Sequence, residues 1–340
     1  MIVDRYYYNQ LNKREQAIYR AFYDGVKAHK DIIPIPVKGV FTKEAFNRIF
    51  SAITRDNPLI YYLNQSACNM AHDMLGHVAI CPQYFFTKEK VKEYNRKVEK
   101  VVNTLIAQLK LTECSDYEKA IKVHDWLCKN VEYDEQGADI NEPVRVIASH
   151  NIIGVFAHHR AQCEGIAKAV KVLLNAVDVK CIVATGMAYG KRENGPHAWN
   201  IVNLNDKPYH MDVTWDIGAC TSLRGRIAYD YFNITDEMIG HDHKPEEKLP
   251  ICNSLELNYF TKNKLAFDSK SQLLAYIEKA ILSGERELCF RLEGKLLPTD
   301  MINEVKNVAA KLLAEQGTKK VRIQHKENDI VRTCWIRIFM

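Results

Sequence analysis

One stretch of the chain, from Gln162 to Asp216, holds a cysteine, a histidine and an aspartate in an order that restricts the fold. Cys163 stands before apolar residues at helical spacing, which predicts that its thiol lies at the N-terminus of a helix. These residues are Ala169, Val170, Leu173, Leu174 and Val177. A helix N-terminus carries a partial positive charge that favours a thiolate over a thiol. The pattern therefore predicts a reactive cysteine rather than a buried structural one.

The residues after this helix predict two strands joined by a turn. Alternating residues follow His197 and precede Asp212, and Asn205-Asp206 between them is typical of a hairpin turn. A turn centred between Leu204 and Asn205 places His197 opposite Asp212. A turn centred one residue later makes them diagonal neighbours on the same face. Either turn puts the imidazole within reach of the carboxylate, so the sequence predicts a nucleophile, a base and an orienting acid.

Three segments in this stretch resemble the core motifs of the transglutaminase-like superfamily, relatives of papain-type cysteine proteases. They are Cys-Glu-Gly-Ile-Ala at 163–167, His-Ala-Trp-Asn at 197–200 and His-Met-Asp-Val-Thr-Trp-Asp at 210–216. The resemblance, to members of bacterial type, covers about 115–252 and includes Tyr231-Phe232-Asn233 and His243. It implies Cys163 as nucleophile, His197 as base and Asp212 as the partner that orients the base.

The resemblance also implies a class of chemistry. Members of the superfamily cross-link proteins, hydrolyse peptides or hydrolyse amides, and some are inactive binding modules. We expect an enzyme in which Cys163 attacks a peptide or glutamine-type amide and forms a thioester. Hydrolysis by water is slightly favoured, because nothing in the sequence marks a channel for an amine. Transamidation of protein glutamine and a catalytically inactive module that binds a protein or peptide are the alternatives.

Two residues near the predicted triad are expected to bind substrate. Trp199 shares the face of His197, where it shields the ion pair or lines the acyl pocket. Gln162 adjoins the nucleophile, whose backbone N–H is expected to form part of the oxyanion hole. Three further polar residues share the face of Asp212 if its strand stays regular, and we expect them to form hydrogen bonds: His210, Thr214 and Asp216.

Histidines elsewhere raise the alternative of a metal site. The pairs His72 with His77, His158 with His159 and His241 with His243 lack a recognised zinc spacing, and neighbouring histidines in a strand alternate faces. We therefore expect these side chains to be solvated or to cap helices. We expect no metal and no cofactor, and no P-loop or GxGxxG motif is present.

Composition restricts the partners. The net charge of +5 over 340 residues comes from interspersed basic and acidic residues, which does not indicate a nucleic-acid partner. Ten cysteines without CxxC pairs predict neither a disulfide framework nor a zinc ribbon, and suit a reducing compartment.

No signal peptide or membrane-spanning run is visible. We expect a cytoplasmic protein, with export after removal of a leader as the alternative. We expect a protein or peptide substrate and no membrane partner, and the sequence does not indicate an oligomeric state.

The predicted fold class is α+β, with a papain- or transglutaminase-like core whose nucleophile-bearing helix packs on an antiparallel sheet. We expect an N-terminal helix-and-strand region at 1–110, the catalytic core at 111–254 and a small C-terminal α/β domain at 255–340. Pro34 and Pro36 restrict 32–40 to an edge strand or an extended connection. The predicted helices are 11–29, 42–53, 87–110, 115–130, 269–282 and 300–315. The other predicted strands are 59–63, 78–86, 179–185, 197–203, 209–216, 287–292, 319–325 and 330–339, with a loop at 186–196.

Overall fold

The chain has an α+β fold in which most strand pairs are antiparallel. The computed structural model describes residues 5–38, 41–137, 139, 141, 143–190, 194–223, 226–318 and 320–340. The end of the predicted strand at 32–40 and residues 191–193 of the predicted loop lie outside the described residues. The chain divides into two compact units. The first comprises Met1–Gly186, Pro196–Asp206 and Pro245–Leu249, and the second Met187–Gly195, Lys207–Lys244 and Pro250–Met340.

The first unit holds the N-terminal helices and the helix that begins at Cys163. Its helices are α1 (Tyr6–Gln10), α2 (Lys13–Lys27), α3 (Lys43–Asp56), α4 (Lys88–Gln108), α5 (Asp116–Asn130), α6 (Pro143–Ser149), α7 (Ile152–His158) and α8 (Cys163–Ala176). The strands that lie wholly or mostly in it are β1 (Ile33–Lys38), β2 (Leu63–His72), β3 (His77–Tyr84), β4 (Glu132–Tyr133), β5 (Arg160–Ala161), β6 (Cys181–Tyr189) and β7 (Asn194–Leu204).

Local capping explains where several of these helices begin. Asn12 and Ser115 each form a capping box with the glutamate three residues later, at the starts of α2 and α5. The Thr42 and Thr87 side chains accept hydrogen bonds from the first turns of α3 and α4. Each cap satisfies a backbone N–H that has no partner within the helix, which stabilises the helix by about 1 kcal/mol. The predicted helices in this region are confirmed.

The N-terminal sheet differs from the prediction at one strand. Its order is β1-β3-β2, so the proline-containing β1 is an edge strand, as predicted. The predicted strand at 59–63 is wrong, because the chain turns there and β2 begins only at Leu63. The backbone N–H of Ile60 donates to the carbonyl of Asn57, which closes a turn that includes Pro58. The register of β2 on β3 then shifts between Asn64 and Asn69.

The second unit holds the remaining elements. Its strands are β8 (Lys207–Met211), β9 (Phe232–Ile234), β10 (His243–Pro245, mostly in this unit), β11 (Ala266–Phe267), β12 (Glu287–Leu292), β13 (Arg322–Asn328) and β14 (Thr333–Phe339). Its helices are α9 (Val213–Ser222), α10 (Asp236–Ile239), α11 (Tyr259–Lys262), α12 (Lys270–Leu282) and α13 (Pro298–Glu315). β8 and β9 are antiparallel, with His210 paired with Ile234.

The C-terminal part forms a four-stranded sheet in the order β11-β12-β14-β13. Apolar residues of α12 and α13 form one buried cluster with side chains from β12 and β14, so the helices cover one face of the sheet. The predicted helices and strands in this region are confirmed in type and approximate position. The turn between β13 and β14 follows Asn328, the last residue of β13, and ends before Thr333.

No helix among the described residues combines the length and the apolar character needed to cross a bilayer.

Candidate active site

Cys163 is the first residue of α8, as the sequence predicts. Its partly buried side chain packs against a small cluster formed by Ala167, Val183 and Ala198. The backbone N–H groups of a first helical turn have no partner within the helix, so the thiol lies where the helix favours negative charge.

Gly165 allows the start of α8 to lie against the segment after α6. A Cβ atom at this position would clash with the carbonyl oxygen of Ser149 and lie 2.9 Å from that of Asn151. The backbone N–H of Gln162 donates to the same Ser149 carbonyl over 3.0 Å. A side chain at Gly165 would therefore displace the turn that carries Cys163.

His197 lies on β7, and its neighbours hold it in place. The Trp199 ring stacks on the His197 ring, with centroids 6.2 Å apart and an interplanar angle of 14°. Trp199 is 1% exposed, and both the shielding role and a contact with substrate stay predictions. Three residues after His197, the buried Asn200 amide donates to the carbonyl of Ala167 on α8 over 3.0 Å and to that of Ile182 on β6 over 3.2 Å. This amide fixes β7 against the helix that begins at Cys163.

The turn after β7 distinguishes between the two placements that the sequence leaves open. Asn205 and Asp206 both have positive φ angles, 51° and 60°. Two consecutive residues of this kind are typical of a two-residue type I′ turn. The turn is therefore centred between Asn205 and Asp206.

Asp212 begins a helix instead of lying inside a strand. The predicted strand at 209–216 is wrong beyond Met211, because Asp212 is the N-cap of α9 and its Oδ1 accepts a hydrogen bond of 3.1 Å from the Trp215 N–H. The Asp212 backbone N–H donates to the Tyr231 carbonyl over 3.0 Å. The Asp212 side chain is 0% exposed. Its carboxylate is therefore held rigidly, away from water.

A second histidine lies against this carboxylate. His243 Nε2 is 3.1 Å from Asp212 Oδ2, and His243 Nδ1 is 2.5 Å from Asp242 Oδ1. The Tyr231 hydroxyl donates to the other Asp242 oxygen over 2.5 Å. An ionised carboxylate only accepts hydrogen bonds, so with both carboxylates ionised the imidazole donates from both nitrogens and is positively charged. We call Asp212, His243, Asp242 and Tyr231 the buried ion cluster.

The buried ion cluster corrects one expectation. His243 was expected to be solvated or to cap a helix, and the structure instead places it at 2% exposure. The Trp215 ring lies against the His243 ring, with centroids 4.5 Å apart. Burial raises the pKa of the Tyr231 hydroxyl, and the neighbouring Asp242 carboxylate adds to the effect, so Tyr231 stays a hydrogen-bond donor.

Comparisons with known proteins agree with these motifs. Residues 103–213 match the family model described as the transglutaminase-like superfamily. This part of the chain is therefore similar to the transglutaminase-like superfamily. Two curated relatives are named Kyphoscoliosis peptidase. The mouse protein is 21% identical over 65% of this chain and 36% of its own length. The human protein is 22% identical over 53% of this chain and 29% of its own length. The matches thus span about a third of these relatives.

One solved structure is similar at a low level. It is described as "Crystal structure of a TGase" and is 14% identical to this protein. The match covers 54% of this chain and 50% of the solved chain, with a TM-score of 0.30. The superfamily as a whole is associated with cysteine-based acyl transfer. That the chain is of bacterial type stays a prediction.

Other polar residues near the end of the matched segment and after it take part in hydrogen bonds. Asp216 accepts from the Tyr231 N–H over 3.1 Å. His210 Nε2 lies 2.8 Å from Asp236 Oδ1, and the Cys252 N–H donates to the other Asp236 oxygen over 2.9 Å. Burial lowers the pKa of His210, against the opposing effect of Asp236, and burial raises the pKa of the Cys252 thiol. Potential metal-ligand atoms of His210, Asp236 and Cys252 lie within 4.8 Å of one another, but these hydrogen bonds explain the cluster without an ion.

Gln162 is held by the loop before α6. Its side-chain amide donates to the Asp134 carbonyl oxygen over 3.3 Å. The Asp134 carboxylate accepts from Arg145 and from the Ser149 hydroxyl, and Arg145 lowers the pKa of that carboxyl group. These bonds hold the turn before Cys163. A contact between Gln162 and substrate stays a prediction.

Proposed function

We propose that the protein is a thiol-dependent enzyme that transfers the acyl group of a peptide or glutamine-type amide through Cys163, His197 and Asp212. The observation that carries the proposal is the position of Cys163 at the first residue of α8, packed on a cluster that includes Ala198 beside His197. A nucleophile at a helix N-terminus with a histidine on the adjoining strand is an arrangement that suits thiol acyl transfer.

In the proposed reaction the Cys163 thiolate attacks the carbonyl carbon of the amide. The C–N bond breaks, His197 in its imidazolium form gives a proton to the departing amine, and the acyl group stays on sulfur as a thioester. Neutral His197 then takes a proton from a water molecule that attacks the thioester. The acid is released and the Cys163 thiolate re-forms.

Asp212 is proposed to orient His197. The proposal keeps the register predicted from the sequence, in which a two-residue turn at Asn205-Asp206 makes His197 and Asp212 diagonal neighbours on one face. A carboxylate in this role must keep one orientation, because it selects the histidine tautomer and stabilises the imidazolium. The N–H of Trp215 and the ring of His243 supply that orientation for Asp212.

Water is the favoured acceptor. The relatives in mouse and human are named peptidases, which supports hydrolysis over transamidation. They match the chain over about a third of their own length, so the comparison supports the class of reaction and not the choice of substrate.

The test is mass spectrometry of glutamine-containing peptides and casein incubated with the full chain, with and without a primary amine. Hydrolysis shortens a peptide or converts glutamine to glutamate, whereas transamidation adds the mass of the amine. We expect hydrolysis products in both samples and none with Cys163→Ala, whose fold should persist because the thiol is only partly buried. Products of equal amount from Cys163→Ala contradict the proposal. Absence of products, with stable binding of the peptide, favours the inactive binding module.

A further inference from the structure

The outer face of the four-stranded C-terminal sheet carries a cluster of positive charge. Side chains alternate along β13, so Ile323 points to the core under α12 and α13 while Arg322 and Lys326 point to the opposite face. Lys326 pairs with Trp335, and Gln324 with Arg337, in the neighbouring β14. These residues, with Arg226 from the segment after α9, line a groove of about 540 Å³. We call it the cationic groove.

Positive charge exceeds negative charge in the cationic groove. Four basic residues line it, Arg226, Arg322, Lys326 and Arg337, and no acidic residue does so in the part of the chain that the structure describes. Glu287 at its rim lies 2.7 Å from Arg337 and 3.5 Å from Arg226, so one carboxylate serves two guanidinium groups. The buried Asp230 behind Trp335 accepts a hydrogen bond of 3.2 Å from the indole N–H.

The position of these charges argues against an ordinary solvated surface. Charged side chains on an edge strand prevent unwanted pairing with another sheet, and Arg322 and Lys326 on β13 fit that role. Arg226 and Arg337 do not, because neither lies on the edge strand. Arg226 instead lies over the Trp335 ring, 4.7 Å from its centroid. Protection of the edge strand β13 from pairing therefore does not explain the positive charges of Arg226 and Arg337.

The geometry points to an extended acidic segment of a protein partner as the occupant of the cationic groove; this is our proposal. β13 pairs with β14 on one side, and on its other side no strand is present among the described residues. An extended peptide can add to such an edge by main-chain hydrogen bonds, while its carboxylates meet the arginines. Single-stranded nucleic acid fits less well, since it needs exposed aromatic rings for stacking. Trp335 is 3% exposed and lies under Arg226, and Arg322 lies over Phe339.

The test uses fluorescence anisotropy with a fluorescein-labelled peptide that alternates glutamate and valine, added to the full chain carrying Cys163→Ala. This substitution prevents turnover, so the result does not depend on the proposed reaction. The groove variant is Arg322→Glu with Lys326→Glu. The control variant, Lys97→Glu with Lys100→Glu on α4, changes the net charge equally, and circular dichroism checks that both variants fold.

We expect the peptide to bind, with an affinity that falls as salt is added. The groove variant should weaken binding about tenfold or more, while the control should change it less than about twofold. A peptide with glutamine in place of glutamate should bind weakly. Absence of binding overturns the proposal, as does equal weakening in both variants, which would indicate net charge alone. Tighter binding of an oligonucleotide of equal charge would overturn it in favour of nucleic acid.

Discussion

The buried ion cluster makes a quantitative prediction about stability. Replacing His243 with leucine keeps a similar volume but removes the two N–H donors between Asp212 and Asp242. These carboxylates are 0% and 1% exposed, so water cannot readily replace the lost donors. Removing one partner from a buried charged pair costs about 3–5 kcal/mol, because an uncompensated charge stays behind. We expect His243→Leu to lower the free energy of unfolding by about this amount at neutral pH.

His210→Leu is the matched control. His210 is also buried, at 1% exposure, and also bonds a carboxylate, but the Asp236 side chain is 47% exposed. Water can replace the lost donor there, so we expect a cost of about 1 kcal/mol, typical of one hydrogen bond. The contrast between the two variants reports the number and the burial of the carboxylates that lose a donor, since the substitution is the same.

Urea denaturation followed by circular dichroism measures the difference. The deficit of His243→Leu should shrink as the pH falls towards about 4, because protonation removes the uncompensated charge. Adding Asp242→Asn should restore part of the stability at neutral pH. If His243→Leu costs no more than His210→Leu, or if its deficit does not change with pH, the assignment of a charged His243 between two carboxylates is refuted.

Three further predictions concern other residues. Asp212→Asn should keep α9, because asparagine also caps helices, yet reduce turnover about 10³–10⁴-fold; a wild-type kcat would contradict this. Gly165→Ala should destabilise the fold by about 1–3 kcal/mol through the clash with the Ser149 carbonyl, and should therefore lower the Tm. An unchanged Tm would contradict this, because it would show that the turn moves to relieve the clash without loss of stability. Burial raises the pKa of Asp56 from 3.8 to about 6. Because the pKa of Asp56 is higher in the folded state, the contribution of protonated Asp56 to the stability of the fold is complete below about pH 4. This contribution is lost as the pH rises through about 6, and the Tm falls. Asp56→Asn should make that fall in Tm smaller.

The sequence predicted well what depends on neighbouring residues. The capping box at Ser115 and the cap at Thr42 fix where α5 and α3 begin, because the partners are three residues away. The start of α8 at Cys163 followed from helical spacing in the same way. The turn at Asn205-Asp206 followed from residue types that tolerate positive φ.

The sequence failed where two local patterns fit the same residues. Residues 209–216 alternate as a strand does, but Asp212 is also a strong helix cap, and the cap ended the strand at Met211. The placement of Asp212 on the face of His197 therefore stays a prediction.

The burial of His243 could not be derived from local pattern. Its partner Asp212 is 31 residues away, and neither spacing nor composition links the two. The adjacent Asp242 was visible in the sequence, but an aspartate beside a histidine is as common on a solvated surface. Only the fold shows that both carboxylates are buried around one imidazole.

The central claim is that Cys163 carries the acyl group, and trapping the thioester tests it most directly. The full chain is mixed with a peptide amide, quenched in acid and digested, and the cysteine peptides are analysed by mass spectrometry. We expect the acyl mass on the peptide that contains Cys163, its removal by hydroxylamine and its loss in His197→Ala. Product formation without this adduct, or an adduct on another of the ten cysteines that persists in Cys163→Ala, would contradict the claim.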